Sequence, residues 1–407
     1  MLVKKITLLG HKDHGKSTLI GNMLILTDRV NPAKLKEAER TSKQLGKRFE
    51  PGFILDSFHE EREGGLTIDT TRTEKIPHKD LAFEFIDVPG HEELIKNMIS
   101  GASQADIAVL IISAKAEEGI RDQTKRHLFI ARMLGIRKLV VAVNKMDLVD
   151  YKKEKFEEIK REMTKFIEKI GFSKDTIYFV PVSAYMKDNL IIKSKNMKWY
   201  SGRPLIDLLY INAKKEEIKK GKELRVILQG FIDQTKTVIA GKVVSGNMKI
   251  GDRVRILPSG FESRISKIVV KGANVKRAKT GTSVAFELKD PIRSETRGSV
   301  MADKANAPKL RKVVKALIFV THPARTNMKI KFNNIDIDCN SLKVLKSIDT
   351  RTGERKNSNR VNKLDAVEAE VELDRKLPFE SYDKTPELGR FLLYSNNKFA
   401  GIGIIMK

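Results

Sequence analysis

The stretch GHKDHGKS at residues 10–17 decides how the rest of the chain is interpreted. It fits the pattern G-x-x-x-x-G-K-[ST], follows an apolar run at residues 6–9 and precedes an apolar helix start at residues 19–20. In such a loop backbone N–H groups surround phosphates, Lys16 neutralises β/γ charge and the Ser17 hydroxyl ligates Mg²⁺. The stretch alone predicts a nucleoside triphosphate site without naming the base. Its predicted contacts are His11, Lys12, Asp13, His14, Gly15, Lys16, Ser17 and Thr18.

Apolar runs alternate with helical patterns through the first 212 residues. Five runs, at residues 6–9, 82–86, 107–112, 139–143 and 177–182, are typical of strands buried on both faces. Between the last two, apolar residues recur at helical spacing from Phe156 to Ile170 among Lys and Glu. The alternation predicts an α/β domain with a mostly parallel, doubly wound sheet over residues 1–212.

Two further segments are predicted to lie beside the phosphates. DVPGH at residues 87–91 follows the second run, and Thr67 lies in EREGGLTI at residues 61–68. We expect Asp87 to hold the Mg²⁺ shell, Gly90 to offer its N–H to the γ-phosphate and His91 to orient the attacking water. The predicted catalytic set is His91, Lys16 and Thr67, and the predicted Mg²⁺ ligands are Ser17, Thr67 and Asp87.

Two segments are predicted to recognise the base. NKMD at residues 144–147 and SA at residues 183–184 each follow an apolar run. The Asp147 carboxylate accepts hydrogen bonds from the N1 and N2 donors of guanine, and a backbone N–H at 183–184 reaches the guanine oxygen. Because ligands bind at the carboxyl ends of strands in open α/β sheets, the four segments together predict GTP. The predicted base-side residues are Asn144, Lys145, Asp147, Ser183, Ala184 and Tyr185.

Charge divides the chain unevenly. The 407 residues include 78 Lys+Arg and 52 Asp+Glu, a net charge of +26. Residues 1–212 hold 37 basic and 30 acidic side chains, and residues 213–407 hold 41 and 22, so the two parts carry +7 and +19. An excess of this size in one half favours a phosphate-rich partner such as RNA. A proteome that is rich in lysine throughout is the alternative reading.

Other features limit the class of protein. The single cysteine, Cys339, excludes an internal disulfide and a cysteine-cluster metal site. No apolar run approaches the roughly 18 residues of a spanning helix. The first ten residues lack the cleavage site of a signal peptide. We therefore expect a cytoplasmic protein without a membrane partner.

The pattern changes beyond the charged stretch at residues 213–223. Short β-branched runs at 226–228, 237–244, 253–257 and 265–270 are separated by turn signals such as SG at 245–246 and PSG at 258–260. Short strands at close spacing predict two small all-β barrel domains. The predicted domains are therefore 1–212 for nucleotide binding, 224–305 for the first barrel and 310–407 for the second.

These motifs resemble those of the translation-factor GTPases, and elongation factor 1-alpha in particular. The similar strings are GHKDHGKST, EREGGLTID, DVPGHE, NKMDLVDY and VPVSAYMKDN in the first domain, and IDTRTG (348–353) and PELGRF (386–391) in the last. The resemblance runs through nearly the whole chain. It implies a three-domain switch that binds GTP or GDP with Mg²⁺, hydrolyses GTP and acts with the ribosome or tRNA.

A second family competes with this one. The GTPase subunit of bacterial sulfate adenylyltransferase is similar in QTKRH (123–127) and in LPSG (257–260) followed by ESRI (262–265). That resemblance implies a regulatory subunit with a catalytic partner subunit. The net charge favours the ribosome instead. A paralogue that has become a binding module is a third alternative, an exchange factor stays open as a partner, and we expect a monomer.

The sequence departs from the elongation-factor pattern at several positions. Lys12 stands where these families carry valine in a hydrophobic gate beside His91, whereas Leu66 keeps the other side, and Gly64 replaces an arginine. A cation in the gate is expected to slow intrinsic hydrolysis or to change its trigger. Residues 231–244 lack the glycine-rich hairpin that holds the aminoacyl end of tRNA. The resemblance therefore does not carry standard aminoacyl-tRNA delivery.

Overall fold

The computed structural model describes residues 1–11, 13–46, 48–55, 71–87, 105–215, 223–232, 237–292, 297–322, 327–358 and 361–406. The chain divides into two compact units. One contains Met1–Glu216 with Thr350–Gly353, and the other contains Glu217–Asp349 with Glu354–Lys407. None of the helices in the described ranges is long and apolar enough to span a membrane.

The first unit is built on a seven-stranded sheet. Two short strands, β2 (Thr71–Arg72) and β3 (Ile76–His78), lie antiparallel to β4, and the other five are parallel. The parallel strands are β1 (Leu2–Leu9), β4 (Leu81–Asp87), β5 (Ile107–Ser113), β6 (Leu139–Asn144) and β7 (Ile177–Pro181). Their order is β4-β1-β5-β6-β7. Every residue of β5 is buried, as expected of a strand covered on both faces. The predicted α/β domain with a mostly parallel sheet is confirmed.

Helices connect these strands. They are α1 (Lys16–Leu26), α2 (Pro32–Gln44), α3 (Asp122–Met133), α4 (Lys153–Lys169) and α5 (Leu205–Lys214). Helix α4 is the predicted amphipathic helix, since its buried residues, Phe156, Ile159, Met163, Phe166 and Ile167, recur on one face. Helix α2 begins where the Asn31 side chain accepts a hydrogen bond from the Ala33 N–H.

The second unit contains two closed six-stranded barrels. The first closes in the order β11-β16-β8-β9-β15-β12, and β12 also pairs with the short β13. Strands β10 and β14 form a separate two-stranded ribbon. The strands are β8 (Arg225–Phe231), β9 (Ile239–Ser245), β10 (Asn247–Lys249), β11 (Arg253–Leu257), β12 (Phe261–Val270), β13 (Ala273–Asn274), β14 (Arg277–Lys279), β15 (Ser283–Leu288) and β16 (Val300–Asp303).

The second barrel closes in the order β18-β22-β23-β17-β21-β19, with β20 paired to β19. Phe319, Phe332 and Phe391 are buried aromatic side chains of this barrel. Its strands are β17 (Arg311–Val320), β18 (Met328–Phe332), β19 (Ile335–Asp349), β20 (Glu354–Lys356), β21 (Ala366–Leu377), β22 (Arg390–Ser395) and β23 (Lys398–Ile405). Closure leaves each barrel without a free edge, and the predicted pair of all-β barrels is confirmed.

A buried charge cluster, here called the barrel junction, joins the two barrels. Arg225 of β8 is only 1% exposed and donates to both carboxylate oxygens of Glu380, at 3.1 and 2.9 Å. Glu223 and Lys384 complete the cluster, and the Thr385 hydroxyl donates to Glu380. Burial by itself raises the pKa of Glu380, but the hydrogen bonds from Arg225, Thr385 and Lys384 hold it below the ordinary value. The four charges therefore balance inside the second unit.

Candidate guanine-nucleotide site

The structure places the ends of the parallel strands, four of which are followed by a predicted site segment, at one edge of the sheet. The strands β1, β4, β5 and β6 are parallel, so their carboxyl ends meet there. The backbone of Asp87 at the end of β4 pairs with Leu8, just before the 10–17 loop. At the end of β6, Asn144 pairs with Ser113 at the end of β5. The sheet thus brings together segments that are far apart in the sequence.

The 10–17 loop leads directly into α1. Gly15 is the N-cap of this helix, has a φ of +89° and provides no side-chain cap. A Cβ at Gly15 would clash with the Asn144 side-chain nitrogen, so both the conformation and the space require glycine. Because the first N–H groups of a helix have no partner within it, this helix start is suited to bind an anion.

The Lys16 ammonium lies over the loop that precedes it. Its Nζ donates to the backbone oxygens of Gly10 at 3.2 Å and His11 at 2.9 Å. Burial is the main cause of the lowered pKa values of His14 and His127, and the charge of Lys16 adds to it. Lys16 therefore places a positive charge beside the loop, which suits a polyphosphate.

The histidines of the loop have different environments. His14 is fully buried and its Nδ1 lies 3.1 Å from the Ile111 oxygen, so it can offer a nucleotide only its main chain. Burial lowers the pKa of His14 to about 4, and that of His127 on α3 to about 3. His11 is half-buried, and its Nδ1 lies 2.6 Å from the Gln123 side-chain oxygen. Among the described residues, no hydrogen-bond partner reaches His14 Nε2.

Asn144 connects the phosphate loop to the base-side segments. Its Nδ2 donates to the His14 oxygen and its Oδ1 accepts from the Ala184 N–H, both at 2.8 Å. This N–H is one of the two at residues 183–184 that the sequence predicts as donors to the guanine oxygen. A buried asparagine with both ends engaged holds the two loops at a fixed distance.

Asp147 and Ser183 face each other across the base side. The Ser183 hydroxyl donates to Asp147 Oδ1 at 2.6 Å and accepts from the Met186 N–H at 3.0 Å. Asp147 is half-buried and Tyr185 is 40% exposed. The serine thus holds the carboxylate that is predicted to recognise guanine.

Two acidic partners of this region were not predicted from the sequence. Glu118 forms an ion pair with Lys145 at 2.6 Å. Burial alone would raise the pKa of Glu118, but hydrogen bonds from Lys145 and Ser113 hold it below the ordinary value. Asp188 accepts from the Tyr151 hydroxyl at 3.0 Å and from the Ser194 hydroxyl at 2.6 Å. Only a weak pattern in the sequence could have indicated them: Glu118 lies shortly after β5, and Asp188 lies in YMKDN at residues 185–189.

Asp147, Ser183, Asp188 and Tyr151 are connected by hydrogen bonds into what we call the ring around the base side. Asp188 and Ser183 exchange backbone hydrogen bonds, and the Trp199 indole N–H donates to the Tyr151 backbone oxygen. Burial, followed by Asp188, raises the pKa of Tyr151 to about 12. Two contacts therefore connect the base-side segments: Asn144 with Ala184 and Tyr151 with Asp188.

The remaining predicted site residues are Ser17, Thr18 and Asp87, together with six that lie outside the described ranges. Ser17 is half-buried, and the Thr18 hydroxyl donates to Glu50 at 2.8 Å. For Asp87 only the main chain is described. Lys12, Gly64, Leu66, Thr67, Gly90 and His91 lie outside the described residues. Within the ranges given above, no group of three or more His, Cys, Asp or Glu side chains is arranged to hold a metal.

Comparison with known proteins identifies the family. The family described as "Elongation factor Tu GTP binding domain" matches residues 2–253, and the one described as "GTP-eEF1A C-terminal domain-like" matches residues 318–406. Elongation factor 1-alpha of Aeropyrum pernix is 35% identical, over 98% of this chain and 95% of that protein. The chain belongs to the translation elongation factor GTPase family.

A second curated relative agrees with this assignment. Elongation factor 1-alpha of Saccharolobus solfataricus is 34% identical over 98% of this chain and 96% of that protein. A solved bacterial selenocysteine-specific elongation factor aligns with 24% identity and a TM-score of 0.46, over 100% of this chain and 58% of that one. This elongation-factor GTPase binds guanine nucleotide and hydrolyses GTP, as predicted. The comparisons give no support to the sulfate adenylyltransferase alternative.

Proposed function

We propose that this GTPase acts in the cytoplasm as a switch that works with the ribosome or tRNA. One observation carries the proposal: residues 213–407, which form the barrels, have a net charge of +19, against +7 for residues 1–212. An RNA partner explains an excess that nucleotide binding does not need. The relatives named elongation factor 1-alpha support the same setting.

The test measures binding of the protein, loaded with a non-hydrolysable GTP analogue, to ribosomes by sedimentation and to tRNA by filter binding, each at 50 mM and 200 mM salt. We expect binding at low salt that weakens by about 10³-fold or more if six or more phosphates are contacted. Loading with GDP is the control, since a switch releases its partner after hydrolysis. Absence of both ribosome and tRNA binding at 50 mM salt would refute the proposal.

For the nucleotide, we propose the roles that the sequence predicts. Lys16 and the N–H groups of the loop hold the phosphates, and Ser17, Asp87 and Thr67 hold Mg²⁺. Ser17 begins α1 and Asp87 ends the strand beside Leu8, and their hydroxyl and carboxylate oxygens are donors that Mg²⁺ prefers. When bound, Mg²⁺ neutralises charge on the β and γ oxygens.

His91 is proposed to orient the attacking water, because it follows β4 directly after the segment DVPG. Catalysis in this class depends on positioning and electrostatics rather than on a covalent intermediate. His91→Ala should therefore keep GDP affinity and lose ribosome-stimulated turnover. Unchanged stimulated turnover in the variant would remove His91 from the mechanism.

Asp147 is proposed to recognise guanine. The Ser183 hydroxyl holds one carboxylate oxygen, which orients the side chain. Asp147→Asn should weaken GTP binding and strengthen xanthosine triphosphate binding, because an amide donates where the carboxylate accepts. Asp150→Asn, at a carboxylate that is 83% exposed, is the matched control and should change neither affinity. Unchanged GTP affinity in Asp147→Asn contradicts the assignment.

A further inference from the structure

The two-stranded ribbon of the first barrel has one apolar and one basic face. In the antiparallel pairing of β10 with β14, Met248 lies opposite Ala278 and both are buried. The neighbouring pairs point to the other face, because side chains alternate along a strand. Their members, Asn247, Lys249, Arg277 and Lys279, are all exposed. With the adjacent exposed Lys276, they form what we call the basic ribbon.

The basic ribbon concentrates positive charge at unfavourable positions. Lys249 is paired in register with Arg277, and Lys279 lies two pairs away, opposite Asn247 on the same face. Like charges directly opposite each other on neighbouring strands destabilise a sheet. Within the described part of the chain, Lys249, Lys276, Arg277 and Lys279 form no ion pair, and the nearby Asp252 carboxylate accepts from the Lys249 backbone N–H rather than from its ammonium. Folding alone does not favour this arrangement.

Three cations elsewhere on the same barrel, Arg255, Lys267 and Lys304, are neutralised. Arg255 donates to Glu262 at 2.9 Å, and Lys304 pairs with the same carboxylate. Lys267 pairs with Glu287 at 3.0 Å on the neighbouring strand. A second like-charge pair of this barrel, Arg253 opposite Arg264 on β11 and β12, also forms no ion pair among the described residues. The basic ribbon differs from that pair because it gathers four such cations, and a cluster of this size suits an external anion.

The ribbon is held firmly by its main chain. The Ile250 N–H donates to the Lys276 oxygen at 3.2 Å, and both the N–H and the hydroxyl of Thr280 donate to the Gly246 oxygen. Cations on a paired backbone have defined spacing, which suits a regular array of charges. The apolar residues Met248 and Ala278 face inward, and Ile250 at the end of the ribbon is 47% exposed, so the ribbon presents much less apolar surface than a membrane-binding segment buries.

We propose that the basic ribbon is a contact surface for the phosphate backbone of RNA. The proposal rests on the function proposed above and assigns part of the RNA contact to this barrel. Phosphate contacts position a protein on nucleic acid without reading sequence, and lysine and arginine are the side chains that make them. The ribbon carries no exposed aromatic side chain for base stacking, so we expect contact with the backbone rather than with bases.

The test compares the wild-type protein with the variant Lys249→Gln/Arg277→Gln/Lys279→Gln. Binding of the GTP-analogue form to purified ribosomes and to protein-free ribosomal RNA is measured between 50 and 200 mM salt. Losing three phosphate contacts should lower the slope of log affinity against log salt by about 2 to 3. Over this range the wild-type affinity should therefore fall about 20- to 40-fold more than that of the variant.

The matched control is Arg255→Gln/Lys267→Gln/Lys304→Gln, which removes the same total charge from the paired positions. This control should keep the wild-type slope, since its cations are already neutralised. The variant Lys249→Arg/Lys279→Arg, which keeps the charge, should also keep the slope. Circular dichroism and GDP affinity confirm that each variant is folded.

Each outcome has a distinct meaning. If wild-type protein binds neither ribosomes nor RNA, the proposed function fails. If wild-type protein binds and the ribbon variant shows the same salt slope, the ribbon proposal alone is overturned. The ribbon proposal is also overturned if the variant loses binding to phosphatidylserine vesicles while its RNA slope is unchanged, because the surface would then serve a membrane.

Discussion

The barrel junction and the phosphate loop both bury basic groups, but they treat the charge differently. At the junction, Arg225 is matched by the carboxylates of Glu223 and Glu380. At the loop, the Lys16 ammonium contacts backbone oxygens, and its charge helps to keep His14 and His127 neutral. A balanced cluster contributes to a fold, whereas a lysine beside the N-terminus of a helix is suited to an anionic ligand.

The histidines show the same contrast in another way. Burial keeps His14 and His127 neutral, so the folded first unit is stable only while these two side chains are unprotonated. The junction needs the opposite, since it depends on Glu380 being ionised. The two regions should therefore respond to mutation and to pH in different ways.

Arg225→Met should produce the largest effect. It leaves the Glu380 carboxylate buried without its two-point partner, which should destabilise the second unit by about 3–5 kcal/mol. Urea unfolding followed by hydrogen exchange in β8 and β21 measures the change. Lys384→Met is the control, because Lys384 is 44% exposed and its pairs should contribute about 0–1 kcal/mol. A loss below about 1 kcal/mol in Arg225→Met would show that the junction does not hold the barrels.

A shift from pH 7.5 to 5.5 should weaken the first unit alone. The folded-state pKa values of His14 and His127, about 4 and about 3, lie below the ordinary value of 6.5. Below pH 6.5 the unfolded chain therefore binds protons that the folded chain excludes, and stability falls with pH. At pH 5.5 the loss should be about 1.4 kcal/mol for each histidine.

The junction should not change over that range. Its Glu380 has a pKa below the ordinary 4.5, so its contribution is present above pH 4.5 and is lost only as pH falls through the lowered value. Hydrogen exchange, corrected for the intrinsic effect of pH, should show reduced protection in β1 and α3 and unchanged protection in β8. Equal losses in both units would contradict the difference.

Tyr151→Phe should produce the smallest effect. It removes the hydroxyl that donates to Asp188 and so loosens one end of the ring around the base side. A lost hydrogen bond of about 1 kcal/mol should speed GDP release about fivefold, as measured with a fluorescent GDP analogue. Tyr200→Phe is the control, since its hydroxyl donates only to the backbone oxygens of Phe179 and Arg203. Identical release rates in both variants would remove the ring from nucleotide retention.

Local patterns predicted much of this fold. The five parallel strands, the amphipathic α4 and the short strands of the barrels were readable because burial of one or both faces imposes a period on the sequence. The nucleotide segments were readable because they are short and each follows a strand. By contrast, the Glu118–Lys145, Tyr151–Asp188 and Arg225–Glu380 pairs join residues 27, 37 and 155 positions apart. Nothing local in the sequence marks such partners.

The amino-acid sequence by itself determined the family, the guanine-nucleotide segments and the excess of positive charge in residues 213–407. Only the tertiary structure decided which charges are neutralised. Arg225 and Lys249 are both basic residues of short strands, yet one is buried against two carboxylates and the other lies exposed opposite Arg277. The reason is physical: composition sets how many charges a chain carries, whereas strand register and burial set which of them meet.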